Sequence, residues 1–159
     1  MKFGINTFVW VSPFRTEVAE EIAEKVKGIG FDILEISIED PALVNVDKVK
    51  AVLEEKSLDV VVCGAFGLSR NLCSENLELV QNAKTYIKWL VDAAESLGAQ
   101  VVAGPMYSSV GKAHYDNPSE REKEWKRAVV NVREMADYAE RKGVKLALEA
   151  LNRFETDMI

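Results

Sequence analysis

A chain of 159 residues with 48% hydrophobic and 29% charged residues has the composition of one folded domain with material for a real core, and excludes intrinsic disorder. Its 20 basic and 26 acidic residues leave a net charge of −6, so long-range electrostatics repel nucleic acid and anionic membrane surfaces. Cys63 and Cys73 stand outside any CxxC spacing, and the single histidine, His114, excludes a self-contained multi-histidine metal site.

The opening residues, MKFGINTFVW, lack the apolar core and small-residue cleavage site of a signal peptide. No apolar run approaches the roughly 18 to 20 residues that span a bilayer. Together with the cysteine usage these features predict a reducing, cytoplasmic setting with no membrane partner.

Along the chain, short apolar runs alternate with longer segments of helical period. A first strand is predicted over Phe3 to Phe8. A helix follows from Thr16 as N-cap, with Val18, Ile22, Val26 and Ile29 on one face and a stop at Gly30. The second strand covers Asp32 to Ile36, and Val46, Val49, Val52 and Leu53 mark the next helix. A third strand over Asp59 to Cys63 precedes a helix with Leu77, Val80, Ile87, Leu90 and Leu97 as its stripe and Gly98 as its stop.

The fourth strand covers Gln100 to Ala103 and leads into a long loop carrying His114. The last helix starts at Asn117-Pro118, with Ser119 and Glu122 spaced as a capping box. Trp125, Val129, Val132, Ala136 and Ala139 form its expected core face, and Gly143 ends it. Val144 to Glu149 is the fifth strand.

The order β-α-β-α-β-α-β-α-β requires crossovers of constant hand. It gives either an open doubly wound sheet or an arc of a barrel. No GxGxxG follows the first strand, which favours the arc: an α/β fold of about (βα)4β, part of a TIM (β/α)8 barrel.

On such an arc the C-terminal strand ends share one face, which collects Asn6, Thr7, Glu35, Cys63, Gly64, Gly104, Pro105 and Glu149. Glu149 sits in the apolar run Leu146 to Leu151, where an ionised carboxylate is costly unless it is paired or binds a cation, so it reads as a metal ligand or general base. Glu155 either reaches the same mouth or is a solvated acid opening the next helix. Arg153 either orients a carboxylate or makes a structural ion pair, and Glu35 is either an active-site or a structural acid. His114 either touches a substrate or is solvated. Trp10, Phe14 and Phe66 form a wall for a sugar face or pack the loops, and Cys63 reads as a small core residue. Basic patches, nucleophile elbows and zinc spacings are missing.

The run Leu148-Glu149-Ala150-Leu151-Asn152-Arg153-Phe154-Glu155-Thr156 resembles the LEPLNRFET motif of the D-tagatose and D-psicose (allulose) 3-epimerase group, within the xylose-isomerase-like barrel superfamily. Gly4-Ile5, Gly30-Phe31-Asp32-Ile33-Leu34-Glu35 and Ala103-Gly104-Pro105-Met106-Tyr107-Ser108 support the resemblance, with Ala150 replacing the usual proline. It implies a ketose 3-epimerase with one divalent ion, commonly Mn²⁺ with Co²⁺ or Mg²⁺ as alternatives, held by Glu, Asp, His and Glu from separate strands. Glu149 would be the first ligand and one of the paired acid/base groups. Glu155 would hold substrate hydroxyls, and Asn6, Phe66, Pro105 and Val110 would line the sugar site.

Such an enzyme removes the proton beside the ketone through a cis-enediolate and returns it on the opposite face. The resemblance puts the second glutamate and the Asp and His ligands on later strands. Residues 1–159 are therefore expected to be the N-terminal part of one barrel domain, with an incomplete ligand set and negligible epimerisation alone. A sugar-phosphate epimerase or hydroxypyruvate-type isomerase on the same scaffold is the enzymatic alternative. The non-enzymatic one is a half-barrel with open edges and an apolar inner face that self-associates, so a homo-oligomer or a C-terminal half is the expected partner.

Overall fold

The computed structural model describes residues 1–111, 117–156 and 158. Its strands are β1 (Gly4–Asn6), β2 (Ile33–Ile38), β3 (Asp59–Gly64), β4 (Val101–Gly104) and β5 (Lys145–Leu148). They pair in parallel in the order β1-β2-β3-β4-β5. Between them run α1 (Ala19–Ile29), α2 (Val46–Glu55), α3 (Leu77–Leu97) and α4 (Pro118–Arg141). This is the expected arc of a TIM barrel.

The two faces of the sheet differ because strand side chains alternate. Leu34, Ile36, Ile38, Val62 and Val102 point outward into the core, where they meet Ile22, Val26, Val49, Leu53, Ile87, Leu90 and Met135 of the helices. The opposite face carries Glu35, Ser37, Cys63, Ala103 and Ala147, and the last four lie side by side across β2 to β5. The inner face is thus mixed: alternation also places Ile33, Val61 and Val101 there, beside these small and polar groups, so it is only in part the apolar face expected for a half-barrel.

Local chemistry explains where the elements depart from the sequence pattern. β1 stops at Asn6 because the Asn6 side-chain oxygen caps a 3-10 turn over Thr7–Val9, accepting from the Phe8 N–H at 2.8 Å. Thr16 does not cap α1. It opens a separate 3-10 turn over Thr16–Val18, and its hydroxyl accepts from the Asn45 N–H at 2.7 Å, tying that turn to the start of α2. Asparagines cap the later helices: Asn45, Asn76 and Asn117 accept from Lys48, Glu78 and Glu120 respectively. Ser119 lies inside α4 and donates to Asn117, so the expected Ser119/Glu122 box does not form.

The core face of α4 keeps Val132 and Ala139 of the expected stripe but is otherwise rotated. Glu124, Ala128, Met135 and Ala139 are buried, whereas Trp125 and Val129 keep 47% and 43% of their surface. Among the described residues, no helix is long and apolar enough to cross a membrane.

Candidate active site

A cleft of about 710 Å³ opens at the C-terminal strand ends. Its lining brings together Asn6, Phe66, Pro105, Val110, Glu149 and Glu155, and also Glu35 and Cys63. Chain segments far apart in sequence meet here because all five strands run the same way.

Asn6 is held firmly. Its side-chain carbonyl accepts from the Phe8 N–H and from the Ser37 hydroxyl at 2.9 Å, which leaves the amide NH2 as the donor available to the cleft. Beneath it the buried Thr7 hydroxyl accepts from the Ser37 N–H at 3.0 Å, locking β1 to β2.

Glycine controls the close approach of β3 and β4. Gly104 has φ of +133°, and a Cβ built there would stand 2.6 Å from the Gly64 carbonyl oxygen. The Gly104 carbonyl in turn accepts from the Glu149 N–H at 3.1 Å, so this contact sets where β5 delivers its carboxylate.

Glu149 is exposed, as are its neighbours Ala147, Leu148 and Ala150. Desolvation among apolar neighbours, the argument that singled it out in the sequence, does not apply in this structure. Among the described residues β5, like β1, is an edge strand of the sheet, paired on one side only. Glu155 is half-buried in a turn organised by Asn152, whose side-chain amide donates to the Glu155 carboxylate and whose side-chain oxygen accepts from the Phe154 N–H at 2.9 Å. The Glu155 carbonyl accepts from the Gly111 N–H, and the Phe66 carbonyl from the Val110 N–H, both at 2.8 Å. Loops after β3, β4 and β5 are thereby stitched around one opening.

Phe66 is buried against Tyr86 in an edge-to-face contact with ring centroids 5.4 Å apart. Cys63 is a wall residue of the cleft rather than a purely internal one; burial, reinforced by the negative charge of Glu35, pushes its thiol up to about 12. It is a neutral thiol at ordinary pH. Arg153 is exposed, does not line the cleft, and places its guanidinium 5.3 Å from the Phe154 ring centroid. Trp10 and Phe14 belong to the core, not to the cleft wall. Phe8, Ala65, Gly67, Ala103, Ala147, Leu148 and Leu151 also line it, beside Gly64, and escaped the sequence reading as site residues. Only their proximity to strand ends could have marked them. His114 lies outside the described residues.

Among the described residues, no group of three or more His, Cys, Asp or Glu side chains is placed to hold a metal ion. Glu35, Glu149 and Glu155 share the lining without forming such a group. The described donors therefore do not fit a divalent ion on their own.

A parallel βα arc with polar side chains collected at the C-terminal strand ends defines a partial TIM barrel. The chain belongs to the xylose isomerase-like TIM barrel family, which it matches over residues 23–159. It is 31% identical over 162 residues to the D-psicose 3-epimerase of Ruminiclostridium cellulolyticum, across 100% of this chain and 55% of that protein. The crystal structure of D-allulose 3-epimerase from Methylomonas sp. in complex with D-allulose superposes with a TM-score of 0.89 at 25% identity, covering 99% of this chain and 54% of that one. For D-psicose 3-epimerase with D-tagatose from Clostridium cellulolyticum H10, the TM-score is 0.82 at 29% identity, over 100% of this chain and 55% of that one. The chain spans about half the length of the curated relatives it matches.

Proposed function

We propose that the cleft is part of a ketose 3-epimerase site in which Glu149 exchanges the proton on the carbon beside the carbonyl. The observation that carries this reading is the meeting of Glu149 and Glu155 with Asn6, Phe66, Pro105 and Val110 around one opening. A carboxylate placed against such a proton is a general base of the ordinary kind, contributing roughly 10² to 10⁴-fold. Negative charge then develops on the substrate oxygens, and the NH2 of Asn6 is a donor held ready for it. Glu155 accepts hydroxyl protons of the same sugar, and Phe66 and Pro105 present an apolar surface to its carbon skeleton.

The charge of the lining supports a neutral ketose over a sugar phosphate. Its described residues include three carboxylates, Glu35, Glu149 and Glu155, and no lysine or arginine. A phosphate group would enter against these charges with no bidentate or ammonium partner.

Titration of the isotopically labelled protein with D-psicose, D-fructose and fructose 6-phosphate, followed by NMR, tests the reading. The free ketoses are expected to shift the amides of Asn6, Val110 and Glu155, and Glu155→Ala to weaken that response. Absence of any response to the free sugars, or tighter binding of the phosphate, would overturn it.

Self-association belongs to the same proposal. Trp125, Val129 and, at the β5 edge, Leu148 expose apolar surface that a second copy would cover. Light scattering is expected to show an associated species that Trp125→Ser diminishes; a wild-type monomer at micromolar concentration would count against it.

A further inference from the structure

Glu35 is a carboxylate whose described protein contacts are few: it meets the Cys63 thiol and makes no ion pair among the described residues. It stands on the inner face of β2, in register with Asn6 on β1 and Val61 on β3, and it lines the same cleft as Glu149. It is only partly buried. Among the described residues, none of the ion pairs involves it, although Lys145 occupies the same inner face on β5.

Its near neighbour is the Cys63 thiol, on which its charge is felt. A thiol is a weak donor, and the Cys63 sulfur also reaches the Gly64 carbonyl at 3.9 Å. An ionised carboxylate accepts through about four lone-pair sites, so most of this capacity is met by water in the open cleft. Any ligand that fills the cleft displaces that water. A carboxylate left there without donors would cost more than an unsatisfied neutral group, so the ligand must bring donors of its own to this position.

The arrangement of the lining says where those donors lie on the ligand. Glu149 and Glu155 both come from β5 and the turn after it, whereas Glu35 comes from β2, with the walls of β3 and β4 between them. The intervening residues are small or apolar: Cys63, Gly64, Ala103 and Pro105. A polyhydroxylated chain laid across these walls puts one end at the β5 carboxylates and its other end at β2.

We propose that Glu35 binds substrate directly, accepting hydrogen bonds from hydroxyls at the end of the ketose remote from the carbons handled by Glu149 and Glu155. The assignment rests on the ketose reading of the cleft. It makes Glu35 a specificity residue: it favours a hydroxylated tail over a deoxy or phosphorylated one. The Asn6 amide, in register beside it, is positioned to serve the same end of the sugar.

A functional-group cycle separates this role from a structural one. The binding of D-fructose and of its monodeoxy analogues is measured on the wild-type protein and on Glu35→Gln, which is close to isosteric, with Glu35→Asp as a second variant that keeps the charge. Loss of a hydrogen bond to a charged acceptor is expected to weaken fructose binding roughly tenfold or more in Glu35→Gln. Wild type is expected to discriminate by a similar factor against the analogue deoxygenated near Glu35. The Gln variant no longer makes that distinction, and Asp recovers part of it. A merely structural Glu35 would lower affinity for every analogue alike and leave the discrimination intact, which would overturn the assignment. So would unchanged fructose binding in both variants. Failure of wild type to bind any ketose would remove the underlying reading, and this assignment with it.

Discussion

Replacing Gly104 by alanine tests the contact that sets the mouth of the cleft. The new methyl would meet the Gly64 carbonyl oxygen at 2.6 Å and the Gly64 nitrogen at 3.3 Å, and both are backbone atoms of the adjacent strand that cannot rotate away. Holding a side chain at φ of +133° adds strain of about 1 to 3 kcal/mol. Displacing packed backbone adds a further cost of roughly 1 to 3 kcal/mol. The sum, about 2 to 6 kcal/mol, is a large part of the roughly 5 to 15 kcal/mol that stabilises an ordinary domain.

Urea unfolding followed by circular dichroism reads it. The midpoint of Gly104→Ala is expected to fall by about 1 to 3 M for a slope typical of small proteins. Gly28→Ala provides the control: it lies inside α1 with nothing within 4 Å of its added methyl, so it is expected to gain about 0.5 to 1 kcal/mol. Because the Gly104 carbonyl accepts from the Glu149 N–H, the Gly104 variant should also disturb the amide resonance of Glu149. A Gly104→Ala protein within about 0.5 kcal/mol of wild type would refute the close-approach argument.

The buried Cys63 makes the fold sensitive to alkali. Its thiol ionises near 9.0 when free and at about 12 in the fold, so above the lower value the unfolded chain holds fewer protons than the folded one. Stability is intact below pH 9 and falls as pH rises towards 12, with a contribution of up to about 1.4 kcal/mol per pH unit from this group. Cys63→Ala should remove that component; an unchanged alkaline slope would contradict it. On α4, Met135→Ala is expected to cost about 2 to 5 kcal/mol because Met135 is fully buried. Trp125→Ser should cost less than about 1 kcal/mol, and the reverse ranking would restore the helix face read from periodicity alone.

That α4 face shows where periodicity runs out. Of the expected stripe Trp125, Val129, Val132, Ala136 and Ala139, Ala139 is buried and Val132 packs on the core, but Trp125 and Val129 are exposed while Glu124, Ala128 and Met135 on the adjacent line are buried. Both lines satisfy the pattern, and small residues such as Ala128 give little hydropathy signal although they allow close packing. The inner sheet face was read as more apolar than it is for a related reason. In Ile33–Ile38, alternation sends Leu34, Ile36 and Ile38 to the helices and leaves Ile33, Glu35 and Ser37 on the inner face.

Strand and helix order, the parallel arc and the strand-end addresses of Asn6, Pro105 and Glu149 were legible in the amino-acid sequence, because short β-branched runs and glycine stops are local signals, whereas Glu35 lies inside β2, which runs on to Ile38. The LNRFET segment added the resemblance that points to ketoses. The tertiary structure decided which of these residues share a cleft and which do not. It joined the expected Phe66 and Val110 through a loop-to-loop hydrogen bond, added Phe8 to the lining, and left Arg153 outside. It also exposed Glu149 at a sheet edge and brought Gly104 against Gly64. Those outcomes depend on contacts between segments tens of residues apart, and no local pattern encodes such distances.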